Sequence, residues 1–191
     1  MEKYTAFDLL FETGLRHMYQ AEKAIAEELI KMQESAASPQ LSDLFKMHRG
    51  ETQKQIQRLE QIFKMLDIDI KSSKLEGLPT IKDQAKELLK TLADLNFSDR
   101  SKGIEGILSE GKELLRHFGK TEAGPLVLTS AGLKVEHFEI ACYASLSLLA
   151  ERYGDPEIQD LLEKSYDEEV GMQNRLSKFA QSQIESLCTP V

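Results

Sequence analysis

Four glutamates in this 191-residue chain, Glu22, Glu51, Glu139 and Glu168, stand where helical spacing asks for apolar side chains. Glu22 continues the series Phe11, Leu15, Met18, Ile25, Leu29, Met32, and Glu51 falls among Leu41, Leu44, His48, Gln55, Leu59 and Ile62. Glu139 lies between Leu128, Val135 and Cys142, Leu146, Leu149. Glu168 lies between Ile158, Leu161, Ser165 and Met172, Leu176, Phe179. Gaps of three and four mark one face of a helix, so each segment aims one carboxylate inward near mid-length. An ionised carboxylate in an apolar interior costs several kcal/mol unless it is paired or binds a cation. Four together also repel one another at low dielectric. Two divalent cations would cancel that charge, and hard oxygen donors suit Mn²⁺ or Fe²⁺, less specifically Ca²⁺ or Mg²⁺.

The pattern is written twice. Residues 22–59 moved forward by 117 positions fall without a gap on 139–176, matching Glu22 to Glu139, Ala24 to Ala141 and Leu29 to Leu146. The same shift matches Pro39 to Pro156, Glu51 to Glu168, Arg58 to Arg175 and Leu59 to Leu176. One helix hairpin is used twice. Further candidates sit beside the four. Glu136, one turn before Glu139, is either a fifth carboxylate of the site or a surface residue; its repeat mate is Tyr19. His48 is a nitrogen ligand, a donor to a ligand, or a satisfied half-buried histidine. Gln55 fits a hydrogen bond to a ligand or to water. Arg58 and Arg175 lie near the same stripes and offer the glutamates partners. Glu169 and His137 adjoin motif residues but point about 100° away, and the methionines read as core filler.

Four long amphipathic helices must position these groups. The first spans about 6–35 and ends at Ser35-Ala-Ala-Ser-Pro39, where Ser38 caps a second helix running to about Leu66. The third and fourth are joined at Tyr153-Gly-Asp-Pro156, with Gly154 ending one helix, Asp155 capping the next, and the last fraying near Ser182. Between the hairpins, residues 67–121 are too long for a turn. They predict a capping-box helix from Thr80 to about Leu95 and a short helix from Ile104 to Phe118. The expected fold is all-α: an antiparallel four-helix bundle, residues 1–191 as one domain, with hairpins at about 6–66 and 122–182 and a crossover at 67–121. Inward carboxylates on such a bundle are the arrangement of ferritin-like di-iron and di-manganese proteins.

Composition excludes other classes. A formal charge of −8 offers no basic face to nucleic acid. No run of about 18 apolar residues is present to span a bilayer, and two cysteines make no disulfide framework. A cytoplasmic protein is expected. No Gly-rich phosphate loop, paired CxxC or Ser/His/Asp signal appears.

Tyr19-Gln-Ala-Glu22-Lys23, His48-Arg-Gly-Glu51-Thr52, Gly103-Ile-Glu-Gly-Ile-Leu-Ser-Glu-Gly111, Lys134-Val-Glu-His-Phe-Glu-Ile-Ala141 and Tyr166-Asp-Glu-Glu169 resemble the YciF-type stress proteins. The resemblance spans nearly the whole chain, and the Lys134 to Ala141 segment is its most specific part. It implies a ferritin-like bundle, a homodimer, and a di-metal centre resembling that of rubrerythrin, with Glu22, Glu51, Glu136 or Glu139, and Glu168 as ligands. The cofactor would be two divalent ions, iron or manganese, and the role a stress response with peroxide-reducing or ferroxidase-type activity. The alternative is a non-enzymatic stress-related bundle dimer that binds a partner, its metal site vestigial. Two departures bear on that choice. The usual ferritin-like Glu-x-x-His would put histidines at 54 and 171, where this chain has Lys54 and Gly171. The predicted helix near 80–96 also looks added.

Overall fold

A computed structural model describes residues 5–70 and 101–188, and every regular element among them is helical. Helix α1 spans Ala6–Ser35. It opens on a capping box: the Thr5 amide and hydroxyl both donate to Asp8 Oδ2 at 2.6 Å, and the Asp8 amide returns a bond to Thr5 Oγ1. Helix α2, Pro39–Met65, starts as expected, with Ser38 Oγ accepting from the Leu41 amide and Pro39 in the first turn. Helix α3, Lys102–Phe118, is the second of the short helices expected between the hairpins. The expected helix near 80–96 lies outside the described residues.

Helix α4, Gly124–Ala150, passes through a 3₁₀ turn at Glu151–Tyr153 into Gly154, whose φ of 59° is the left-handed value that favours glycine. Helix α5, Pro156–Cys188, follows, with Asp155 Oδ1 accepting from the Glu157 amide at 2.9 Å. It runs on past Ser182, where fraying was expected. A Gln181–Glu185 side-chain bond of 3.0 Å, one turn apart, supports the extra length.

Helix α1 packs on α2 and α4, and α5 packs on α4 and α2, while α3 lies mainly along α4. Gly14 faces Leu146 and Gly132 faces Met32, so α1 and α4 are antiparallel. The chain therefore leaves α2 at one end of the bundle and starts α4 at the other, which is why a long crossover is needed.

The repeat survives in three dimensions. Leu41, Phe45, His48, Thr52, Gln55, Leu59 and Ile62 are buried on α2, and 117 positions on, Ile158, Leu162, Ser165, Glu169, Met172, Leu176 and Phe179 are buried on α5. The apolar members join Phe11, Leu15 and Met18 of α1, Leu128 and Val135 of α4 and Ile104 of α3 in one core. At mid-length that core turns polar.

Candidate metal centre

Four helices deliver the polar layer. Helix α1 supplies Glu22, α2 supplies His48 and Gln55, α4 supplies Glu136, Glu139 and Tyr143, and α5 supplies Glu169; none is more than 2% exposed. Glu136 and Glu139 are one turn apart, which puts both on the same side of α4. His48 Nε2 lies 3.1 Å from Glu136 Oε1 and 3.6 Å from Glu139 Oε2, and its Nδ1 lies 4.0 Å from Glu169 Oε2. Gln55 Nε2 donates to Glu169 Oε1, and the Tyr143 hydroxyl donates to Glu22 Oε1.

His48, Glu136, Glu139 and Glu169 each offer one ligand atom, and these four atoms lie within 4.8 Å of one another. Two ligands on opposite sides of one ion, each about 2.2 Å away, would be about 4.4 Å apart. The set is therefore sized for a cation with little rearrangement. Its donors also lack other partners. Both oxygens of Glu136 and Glu139, both ring nitrogens of His48, Oε2 of Glu22 and Glu169, and Oε1 of Gln55 are buried with no aligned hydrogen bond. Buried polar atoms are nearly always satisfied, so this many in one place fit a group that takes oxygen and imidazole donors.

The electrostatics agree. Burial, and then the neighbouring carboxylates, push Glu22, Glu136 and Glu139 well above the ordinary carboxylate range. Burial raises Glu169 as well, opposed by His48 and by the hydrogen bond from Gln55. Burial lowers His48 despite the carboxylates around it. Without a cation, burial favours the protonated form of Glu22, Glu136 and Glu139 and the neutral form of His48.

Of the expected inward glutamates, Glu168 stands elsewhere, while Glu51 lies at the edge of the cluster, where its charge acts on His48, Glu136 and Glu169. Glu168 is held by a bidentate ion pair from Arg58 at 2.6 and 2.7 Å, which also reaches Ser165 at 3.2 Å. Glu51 is half-buried and meets Arg175 at 3.5 Å. Its Oε2 is buried without a partner, and burial raises its pKa ahead of the opposing Arg175. Under the 117-residue shift Glu51 becomes Glu168 and Arg175 is the mate of Arg58, so these are one ion pair drawn twice across the α2–α5 seam. Arg175 lies 3.6 to 3.8 Å from where a Cβ on Gly171 would sit, and so covers the position where ferritin-like spacing would place a histidine.

The inward line runs one residue beyond the expected one. On α5 it passes through Leu162 and Glu169 instead of Leu161 and Glu168, and on α2 through Thr52 instead of Glu51. Both lines obey gaps of three and four. The twins Leu161-Leu162 and Glu168-Glu169 gave the pattern nothing to choose between. Glu169, expected to point away, is thus in the cluster. Tyr143, not expected there, is fully buried, and the half-buried Cys142 stood in its place on the expected stripe. An aromatic residue one turn after Glu139 was the available signal.

Comparison with known proteins follows the same outline. The family profile described as "Domain of unknown function (DUF892)" matches residues 6–99 and 76–188. Protein YciF of Escherichia coli K12 is 28% identical over 166 residues, covering 87% of this chain and 85% of that protein. The crystal structure of the E. coli stress protein YciF superposes with a TM-score of 0.74 at 25% identity, covering 95% of this chain and 99% of the other. YcfI of Rhodopseudomonas palustris superposes with a TM-score of 0.69 at 29% identity, covering 91% and 94%.

Proposed function

We propose that this chain, which belongs to the DUF892 family, is a ferritin-like metal-binding protein of the stress response that holds divalent iron or manganese in the His48, Glu136, Glu139, Glu169 cluster with Glu22 beside it. The observation that carries the reading is the convergence of buried, unpartnered oxygens and imidazole nitrogens from four helices. Similarity to the E. coli stress protein YciF supports the physiological setting.

The residues divide the work. Gln55 and Tyr143 each satisfy one oxygen of a carboxylate and so orient the other oxygen of Glu169 and of Glu22. His48 contributes the nitrogen that raises affinity for transition metals over Ca²⁺ or Mg²⁺. Arg58 draws Glu168 away, and Arg175 holds one oxygen of Glu51 at the edge of the layer. The apolar layers on either side exclude water. Bound iron or manganese would supply the electrons that a peroxide or dioxygen takes up. The reading is oxidoreductase chemistry on peroxide, oxygen or ferrous iron, in the cytoplasm, as a homodimer. Among the described residues no helix is long and apolar enough to cross a membrane.

Anaerobic titration of chelator-stripped protein with Fe²⁺ or Mn²⁺ tests the proposal. Uptake should be saturable, with a rise in melting temperature, and Glu136→Gln should weaken it at least about ten-fold. Wild-type protein that takes up neither ion would refute it.

A further inference from the structure

The internal repeat predicts a symmetric centre, and the side chains do not provide one. Exchanging the two hairpins by 117 positions carries Glu136, Glu139, Glu169 and His48 onto Tyr19, Glu22, Thr52 and Ser165. The first set is the compact four-donor group. Of its mates only Glu22 is a carboxylate. Tyr19 turns its hydroxyl outward to Glu60 Oε1 at 2.9 Å. Thr52 Oγ1 donates to the His48 carbonyl at 3.0 Å, and Ser165 Oγ donates to the Leu161 carbonyl at 3.2 Å while receiving Arg58. Three of the four mates are thus committed to other partners.

Glu139 belongs to both halves. Tyr143, one turn beyond Glu139 on α4, donates to Glu22 Oε1 and so sets Glu22 beside Glu139, while His48 Nε2 stands 3.6 Å from Glu139 Oε2. Neither of its oxygens has a protein donor, whereas Glu22 keeps only Oε2 free because Tyr143 holds Oε1.

Resting on the metal reading above, we infer that the centre is unequal: one ion position built from His48, Glu136, Glu139 and Glu169, and a second, weaker one built from Glu22 and the shared Glu139. The weaker position has no nitrogen and two carboxylates where the tight one has three. Its remaining coordination is left to water or to a small oxygen donor such as peroxide, which makes it the place where an exogenous ligand would be admitted.

Titration of stripped protein with Mn²⁺, with free ion read from its six-line EPR signal, tests this. Wild type should bind in two steps whose dissociation constants differ by at least about ten-fold. Glu22→Gln should keep the tight step and lose the weak one, whereas Glu169→Gln should weaken the tight step by about ten-fold or more. Two ions bound with equal or cooperative affinity, or loss of the tight step in Glu22→Gln, would overturn the inequality while leaving the metal reading intact. Absence of any Mn²⁺ binding would take both down.

Discussion

Stripped of metal, the protein should lose stability as pH rises through neutrality, opposite to the usual behaviour of salt-bridged carboxylates. Glu22 and Glu139 are neighbours in one buried layer, as are Glu136 and Glu169, and burial, then repulsion between carboxylates, pushes Glu22, Glu136 and Glu139 well above the ordinary carboxylate range. Each pair therefore holds protons to higher pH than the unfolded chain does. The unfolded chain releases those protons above the ordinary carboxylate value of 4.5. The folded state then binds more protons than the unfolded one, and unfolding free energy falls with pH. Two retained protons give a slope of about 2.7 kcal/mol per pH unit.

His48 opposes this below its ordinary value of 6.5, where the unfolded chain binds a proton that burial denies the folded one. That offsets at most about 1.4 kcal/mol per unit. The net slope is therefore about half as steep below pH 6.5 as above it, until the pairs lose their protons. Urea unfolding of chelator-treated protein at pH 5.5, 6.5 and 7.5 measures it. Glu136→Gln with Glu139→Gln should flatten the curve. Saturating Mn²⁺ should abolish the fall above pH 6.5 and turn it into a rise below, because metal ligands bind deprotonated while unfolded His48 still takes up a proton. Stability of the stripped protein that stays level or climbs across this range would refute the reasoning.

Further predictions bear on the surrounding groups. At Mn²⁺ a hundred-fold above its dissociation constant, native-state binding adds about 2.7 kcal/mol. In a chain of this length that is roughly 5–11 °C in melting temperature by calorimetry. Arg58→Ala leaves the partly buried Glu168 carboxylate alone and should cost about 1–2 kcal/mol in urea unfolding, between the exposed and fully buried limits. Arg175→Ala, which removes a single 3.5 Å contact, should cost less. Tyr143→Phe leaves Glu22 Oε1 without its donor and should destabilise the metal-free protein by about 1–3 kcal/mol, with no change in the tight Mn²⁺ step.

The helices were legible in the chain because their signals are local. Ser38-Pro39 and Gly154-Asp155-Pro156 mark the turns, the stripes mark the faces, and the 117-residue repeat marks the two hairpins as copies. The same repeat foresaw that polar residues interrupt the core at mid-length, and Glu22, Glu136, Glu139, His48 and Gln55 are all found in that layer.

Which of two adjacent glutamates faces inward was not a local matter. Glu168 and Glu169 differ by about 100° around α5, and either satisfies a three-four spacing. Across the seam from α5, Arg58 takes Glu168 while His48 and Gln55 stand beside Glu169. Sequence alone determined that carboxylates would enter an apolar bundle, because periodicity is a property of one helix. Only the tertiary structure decided which of them meet and which are neutralised by arginine, because that depends on how four helices are rotated against one another.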